Sequence, residues 1–430
     1  MSEPPHLNRS ITILRHKMFR SACAIASISL LSGCGLGHRL GMGGPSAASL
    51  GEGAATPSVF GYAVADEPQA ALVARQILND GGNAADAAAA AGFALSVTLP
   101  SRAGLGGGGA CIIKMPGADG KAAAPVTLIF PAGASTGGGA RPAAIPSLAR
   151  GLLALQARYG TLPYASVIVP AERLAGGVPV SQALANDLAV VGPALLADPA
   201  AASVFSQNGA PLQAGDDLVQ PDLAATFEVL RTQSVLGFYT GGFANDLSTA
   251  AIQAGGGLTV ADLARAHPYF ATPDITTTGG ISVASLPVPP LSSATLPASA
   301  GFAALDKNGG VVACAVTMNN LFGTGRIAPG TGILLAASPK ATPTPELAAA
   351  IAYTADGLTF RAAATGTGQT GAAAAAADAI ADALANRPAA LVPSPGRANV
   401  ISCPGGVPGG DATCTATADP RGHGLATGGR

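Results

Sequence analysis

Charge is scarce in this sequence. Only 11% of its 430 residues are Asp, Glu, Lys or Arg, and the formal net charge is −1. With no basic excess there is no electrostatic case for binding nucleic acid, whose phosphates are neutralised by clustered Lys and Arg. Long hydrophobic runs are lacking as well. Past the N-terminal segment, no apolar stretch reaches the roughly 18–20 residues of a membrane span. Mean hydropathy is nevertheless +0.40, much of it supplied by Ala. Of the five histidines, His6, His16 and His38 precede the region that reads as folded, which leaves His267 and His423. Two histidines argue against a Ser-His-Asp triad and against a metal centre, so neither metal nor cofactor is expected. What is abundant is Gly, at 58, and Pro, at 34, which implies many turns and loops.

Arg15, His16, Lys17 and Arg20 precede a short apolar run, 22–31, in the pattern of a targeting segment. It ends Leu31-Ser32-Gly33-Cys34, which resembles the lipobox of bacterial lipoprotein signals. That resemblance implies removal of the leader before Cys34 and lipidation of Cys34. The expected location is then the bacterial cell envelope, on the periplasmic side, with the membrane touched only through the lipid. An ordinary signal peptide that happens to end in Cys is the alternative. Residues 35–58, rich in Gly, Ala and Ser, read as a flexible tether.

The folded region starts near Val59. A helix is expected over 67–79. Asn83 can cap a second helix made mostly of Ala, whose small side chains let it lie close to a sheet. Residues 98–104 read as a turn, and GLGGGGACII returns as a strand. Its four consecutive glycines, 106–109, call for close backbone packing or unusual dihedrals. A phosphate loop is disfavoured because no Lys-Ser/Thr follows.

The chain is organised around 294–332. Phe302-Ala303-Ala304-Leu305 reads as a half-buried strand, Asp306-Lys307-Asn308-Gly309 as a tight turn, and Val311 to Val316 as the returning strand. Small and hydroxyl residues, Ala298-Ser299-Ala300, stand at the entrance, and Thr317, Asn319 and Asn320 at the exit. This stretch resembles the start of the small subunit in the γ-glutamyltransferase family of N-terminal-nucleophile hydrolases. The residues NAADAAAAAGFALSV…GLGGGG, YGTLP (159–163), PAERLA (170–175), GFYTG (237–241), GGLTVADL (256–263), FGTG (322–325) and GTGILL (330–335) follow in the family's order. The resemblance covers about 59–375.

The family fold is a four-layer αββα sandwich, so an α+β protein of that kind is expected, with a large-subunit region over 59–298 and a small-subunit region over 299–430. The resemblance also implies that the chain cuts itself into these two fragments. Counting back seven residues from Asp306 puts Ser299 at the nucleophile position, where the family carries Thr. Ser292, Ser293 and Thr295 are the alternatives if the alignment slips. Thr317 falls where a second Thr hydrogen-bonds the nucleophile, and Asn319, with Asn320 beside it, where the family binds substrate. Thr367 and Gly368, in a Gly-rich turn before an Ala-rich helix, fall where backbone N–H groups form the oxyanion hole.

Other family features are missing. Pro131 stands in place of the Arg that pairs with the substrate α-carboxylate, GILLAASPKAT (332–342) has no acid to receive the α-amino group, and no Ser-Ser pair precedes Gly366. A small γ-glutamyl peptide or another amide is therefore the expected substrate. Three readings stay open: a γ-glutamyl hydrolase or transferase, an amidase for another acyl group, and a non-catalytic envelope lipoprotein that retains the fold. Cys111 and Cys314 read as small core residues, whereas Cys403 and Cys414, in an exported protein, read as a disulfide.

Overall fold

The structure is a computed structural model; it describes residues 58–117, 121–265, 267–287, 296, 298–388 and 390–429. The expected leader, residues 35–57 of the expected tether, lipidation at Cys34, and the alternative nucleophiles Ser292, Ser293 and Thr295 lie outside the described residues.

Two antiparallel sheets form the centre. The strands, in chain order, are β1 (Ser58–Ala65), β2 (Gly108–Lys114), β3 (Val126–Phe130), β4 (Tyr269–Ala271), β5 (Asp274–Thr278), β6 (Ile281–Ser285), β7 (Ser299–Asp306), β8 (Val311–Thr317), β9 (Ala348–Thr354), β10 (Phe360–Thr367), β11 (Arg397–Val407), β12 (Thr415–Thr417) and β13 (Leu425–Gly429). The first sheet runs β13-β1-β7-β8-β2-β3-β4 and the second β12-β11-β10-β9-β6-β5. Helices α1 (Pro68–Asn79), α2 (Ala84–Thr98) and α3 (Leu148–Tyr159) cover the outer face of the first sheet. Helix α4 (Ala372–Leu384) covers the outer face of the second, which packs on β9, β10 and β11.

The strands alternate between two apolar environments. Ala63, Ala65, Phe302 and Val316 face the helices, while Tyr62, Val64, Ile112 and Leu305 meet Ile351, Phe360 and Ile401 of the second sheet. Ala350, Ala352, Ala362 and Ala364 face α4 with Ile380. This is the αββα order. It also explains a difference from the sequence reading: β7, expected to be half-buried over 302–305, is buried at every residue, as is β8, because both faces of the sheet are covered.

Helix α2 is buried along its whole length. Asn83 and Asp86 form a reciprocal capping box at its start. Its Ala-rich surface allows this depth: a Cβ at Gly92 would lie 2.7 Å from Leu152 and 3.1 Å from the Phe302 ring. Glycines 106–109 serve close packing, none having positive φ. A Cβ at Gly107 would sit 2.3 Å from the Thr317 carbonyl oxygen, and one at Gly109 2.5 Å from that of Ala315.

The cysteines need one correction. Cys111 and Cys314 are joined in a disulfide, rather than being separate core thiols. They stand directly opposite in the β2–β8 ladder with Cα atoms 4.0 Å apart, 203 residues apart in sequence. Only the strand pairing brings them together. A second disulfide joins Cys403 of β11 to Cys414.

Candidate active site

The β7–β8 hairpin is fixed by its turn. Asp306 accepts hydrogen bonds from the Asn308 and Gly310 N–H groups at 2.9 and 3.0 Å, and its other oxygen accepts from Ala84 N–H at 3.1 Å. One carboxylate therefore closes the turn and ties it to the first residue of α2. With the turn fixed, the register pairs Ser299 with Thr317 at the far end of the hairpin.

Ser299 is 2% exposed, and its Oγ has no hydrogen-bond partner among the described residues. Leaving a buried hydroxyl unpaired costs about 1–3 kcal/mol, which calls for a reason. The carbonyl just before it is well held. Ala298 O accepts from Thr317 Oγ1 at 2.7 Å and from Met318 N–H at 3.2 Å. Thr317 Oγ1 itself accepts from Asn319 N–H at 2.8 Å. The Thr317 hydroxyl, expected to bond the nucleophile, is thus directed at the Ala298 carbonyl. Two donors on one carbonyl oxygen polarise it and would stabilise negative charge developing there.

Asn319 adopts φ 60, a left-handed conformation that Asn tolerates. Its side-chain amide donates to Ala132 O at 3.0 Å and Ala337 O at 2.9 Å, so both N–H groups are spent within the protein. Asn320 is directed elsewhere: its amide donates to Gly323 O at 3.2 Å. Thr367 ends β10 and is buried. A Cβ at Gly301 would lie 2.4 Å from Thr365 Oγ1 and 3.5 Å from Thr367 Cγ2, so the glycine lets β10 approach β7 two residues beyond Ser299. Gly368 takes φ +108, and a Cβ there would meet Pro395 O at 2.0 Å. The start of α4, expected to favour an oxyanion, is already met by an acid: Glu346 accepts from Ala373 N–H at 3.2 Å.

Behind Ser299 lies a polar network that sequence reading did not single out. Asp66 accepts from Gly301 N–H at 2.8 Å and from the Asn399 amide at 2.7 Å. Burial pushes its carboxyl above the usual range, opposed by the Gly301 and Asn399 bonds and by the Arg102 and Arg397 guanidiniums. Arg102 pairs bidentately with Asp187 at 2.8 and 2.7 Å, and Asp187 also accepts from Ser101 Oγ at 2.6 Å. Burial, Arg397 and Arg102 together pull the His423 imidazole below its ordinary value. The one sequence signal was charge itself, since Asp66 and Arg102 are ionisable residues flanked by apolar and Gly-rich segments.

On the β2–β3–β4 side, a cavity of about 470 Å3 has Thr317, Asn319 and Pro131 on its wall.

Residues 70–300, more than half of the chain, match the family model described as Gamma-glutamyltranspeptidase. The chain belongs to the γ-glutamyltranspeptidase family. Among curated members, it is 35% identical over 225 residues to the glutathione hydrolase proenzyme of Bacillus subtilis (strain 168), covering 47% of this chain and 37% of that protein. It is 34% identical over 227 residues to the acylase ACY 1 proenzyme of Pseudomonas sp. (strain SE83), covering 47% of this chain and 40% of that protein. The matches thus span well under half the length of these relatives. In fold, the chain is similar to the crystal structure of cephalosporin acylase from Bacillus halodurans, with a TM-score of 0.69 at 17% identity, over 86% of this chain and 97% of that one. At that identity the likeness speaks to the fold alone, the αββα sandwich described above.

Proposed function

We propose that this protein is a self-cleaving N-terminal-nucleophile hydrolase or acyltransferase of the γ-glutamyltranspeptidase type, acting on a small amide through Ser299. One observation carries the reading: the Ala298 carbonyl is held by two donors, and the hydroxyl of the next residue is buried and unpartnered. That arrangement suits an N-to-O acyl shift. Ser299 Oγ attacks the Ala298 carbonyl carbon while Thr317 Oγ1–H and Met318 N–H hold the oxyanion. The C–N bond breaks, and the hydroxyl proton ends on the Ser299 nitrogen. Water then opens the ester, leaving a carboxylate on Ala298 and a free amine on Ser299. In the second stage that amine, with an unperturbed pKa near 8, takes the Oγ proton as Oγ attacks the substrate amide. The proton passes to the departing amine, and the acyl group goes to water or to an acceptor amine. Departure of Ala298 frees the Thr317 hydroxyl for Ser299. The proenzyme relatives, a glutathione hydrolase and an acylase, support self-cleavage and leave both γ-glutamyl and other acyl groups as substrates.

The test is a denaturing gel with Edman sequencing, and the disulfide dictates how it is run. Cys111 falls in the fragment before the cut and Cys314 in the fragment after it, so the bridge ties the two together. Protein matured under oxidising conditions is expected to run as one species without reductant and as two with it, the smaller beginning Ser299-Ala300-Gly301. Cys314→Ser should separate the fragments without reductant. If fragments of wild type separate on a non-reducing gel, the bridge does not form. An uncut chain under reducing conditions removes the enzymatic reading.

We also propose envelope anchoring through a lipid on Cys34, on the strength of Leu31-Ser32-Gly33-Cys34. Cys34→Ala is expected to move the protein from the membrane fraction to the soluble one. Wild-type protein that is already soluble, with an unlipidated N-terminus by mass spectrometry, defeats this.

A further inference from the structure

Resting on the reading of Ser299 as nucleophile, we infer that the acyl group this enzyme transfers is neutral and has an apolar tail, of the aryl or medium-chain aliphatic kind. The cavity beside Thr317 is the basis. Its volume of about 470 Å3 is in the range of small-molecule sites. Ile129, Pro131, Tyr269, Leu286, Pro345 and Leu347 line it, and no Asp, Glu, Lys, Arg or His is among the described residues of its wall.

The charged residues next in sequence to the wall are not part of its described lining. Glu346 lies between two lining residues but is buried against the Ala373 N–H. Lys340, after the lining Pro339, is exposed. The sequence 288–297, which leads from the wall residues Leu286 and Pro287 to Ala298, carries no ionisable side chain. Asn319, the amide on the wall, spends its N–H groups on Ala132 and Ala337.

A γ-glutamyl group would bring an ammonium and a carboxylate into this space. Each would lose its water and find no counter-charge, a desolvation that only pairing can offset. An apolar acyl tail instead buries surface against Leu, Ile, Pro and Tyr side chains, which is favourable. Thr317 joins the two functions, since it stands on the cavity wall and its hydroxyl holds the Ala298 carbonyl at the cleavage point.

The test uses the full chain after self-cleavage, checked on a reducing gel, with the p-nitroanilides of phenylacetate, hexanoate and L-γ-glutamate. One of the two apolar anilides is expected to exceed the γ-glutamyl one in kcat/KM by on the order of a hundredfold, the scale of an unpaired buried charge. Pro131→Arg sets a cation on the wall and should lower apolar turnover at least about tenfold while narrowing the gap to γ-glutamyl anilide. If that variant does not fold, Tyr269→Arg, at a position 55% exposed on the cavity rim, should shift the preference in the same direction. A cut chain that prefers the γ-glutamyl anilide overturns the acyl assignment and leaves the nucleophile standing. If the cut chain releases no nitroaniline, calorimetric titration with hexanoate, phenylacetamide and L-glutamate decides. Binding of phenylacetamide or hexanoate without glutamate supports the assignment, and binding of glutamate or of none of the three overturns it. An uncut chain takes down the reading beneath it and this inference together.

Discussion

Ser299→Ala is expected to give a single intact chain under reducing conditions and no measurable amide hydrolysis. The alanine retains the strand and the Thr317 and Met318 bonds to Ala298 but removes the oxygen that attacks. Losing a nucleophile costs on the order of 10⁴-fold or more in rate, and here it also blocks the cut that would create the catalytic amine. Thr317→Val separates the roles. It keeps the volume and deletes one of two donors to the Ala298 carbonyl, so self-cleavage should slow by roughly 10²–10³-fold without being abolished. Ser299→Thr should still cut, provided the added methyl is accommodated in a site already 2% exposed. If Ser299→Ala is still cut, and the new N-terminus is Ser292, Ser293 or Thr295, the chemistry stands and the nucleophile moves.

The second large effect is on stability. Asp187→Ala is expected to lower unfolding free energy by about 3–5 kcal/mol, because it leaves the Arg102 guanidinium buried without its partner. Both side chains are almost wholly enclosed, at 4% and 3% exposure, and Asp187 also holds Ser101 Oγ. Arg102 lies close enough to Asp66 to act on its carboxyl, and Asp66 in turn holds Gly301 of β7, so β7 should loosen along with the global loss. Denaturant titration of wild type and variant measures the first effect. Hydrogen exchange at Gly301 N–H measures the second. Replacing both partners with apolar residues of similar size should recover much of the loss. A change below about 1 kcal/mol in Asp187→Ala would show that water reaches Arg102 and that the pair is not a buried one.

Some of this was determined by local sequence. Asp306-Lys307-Asn308-Gly309 closes a hairpin because Asp306 can accept from the backbone two and four residues on, an interaction confined to one turn. Asn83 and Asp86 start α2 for the same reason. Ser299 and Thr317 could be set opposite each other by counting outward from that turn, since strand register follows from turn geometry.

What the tertiary structure decided involves residues far apart in the chain. Cys111 and Cys314 pair because β2 and β8 are neighbours, a fact with no trace in either local segment. The strand read as half-buried, 302–305, is fully buried because a second sheet covers the face left open in a single hairpin. Asp66, Asn399, Arg102 and Asp187 come together only once β11, the segments after β1 and α2, and the helix Gln182–Leu195 converge. The cavity is uncharged for the same reason. Pro131 in place of a cation could be read from sequence, but whether another charge compensates depends on where every neighbouring side chain points. Glu346 turns to α4 and Lys340 is exposed because a buried charge must find a partner and an unpartnered one stays in water, and those constraints act only on the folded chain.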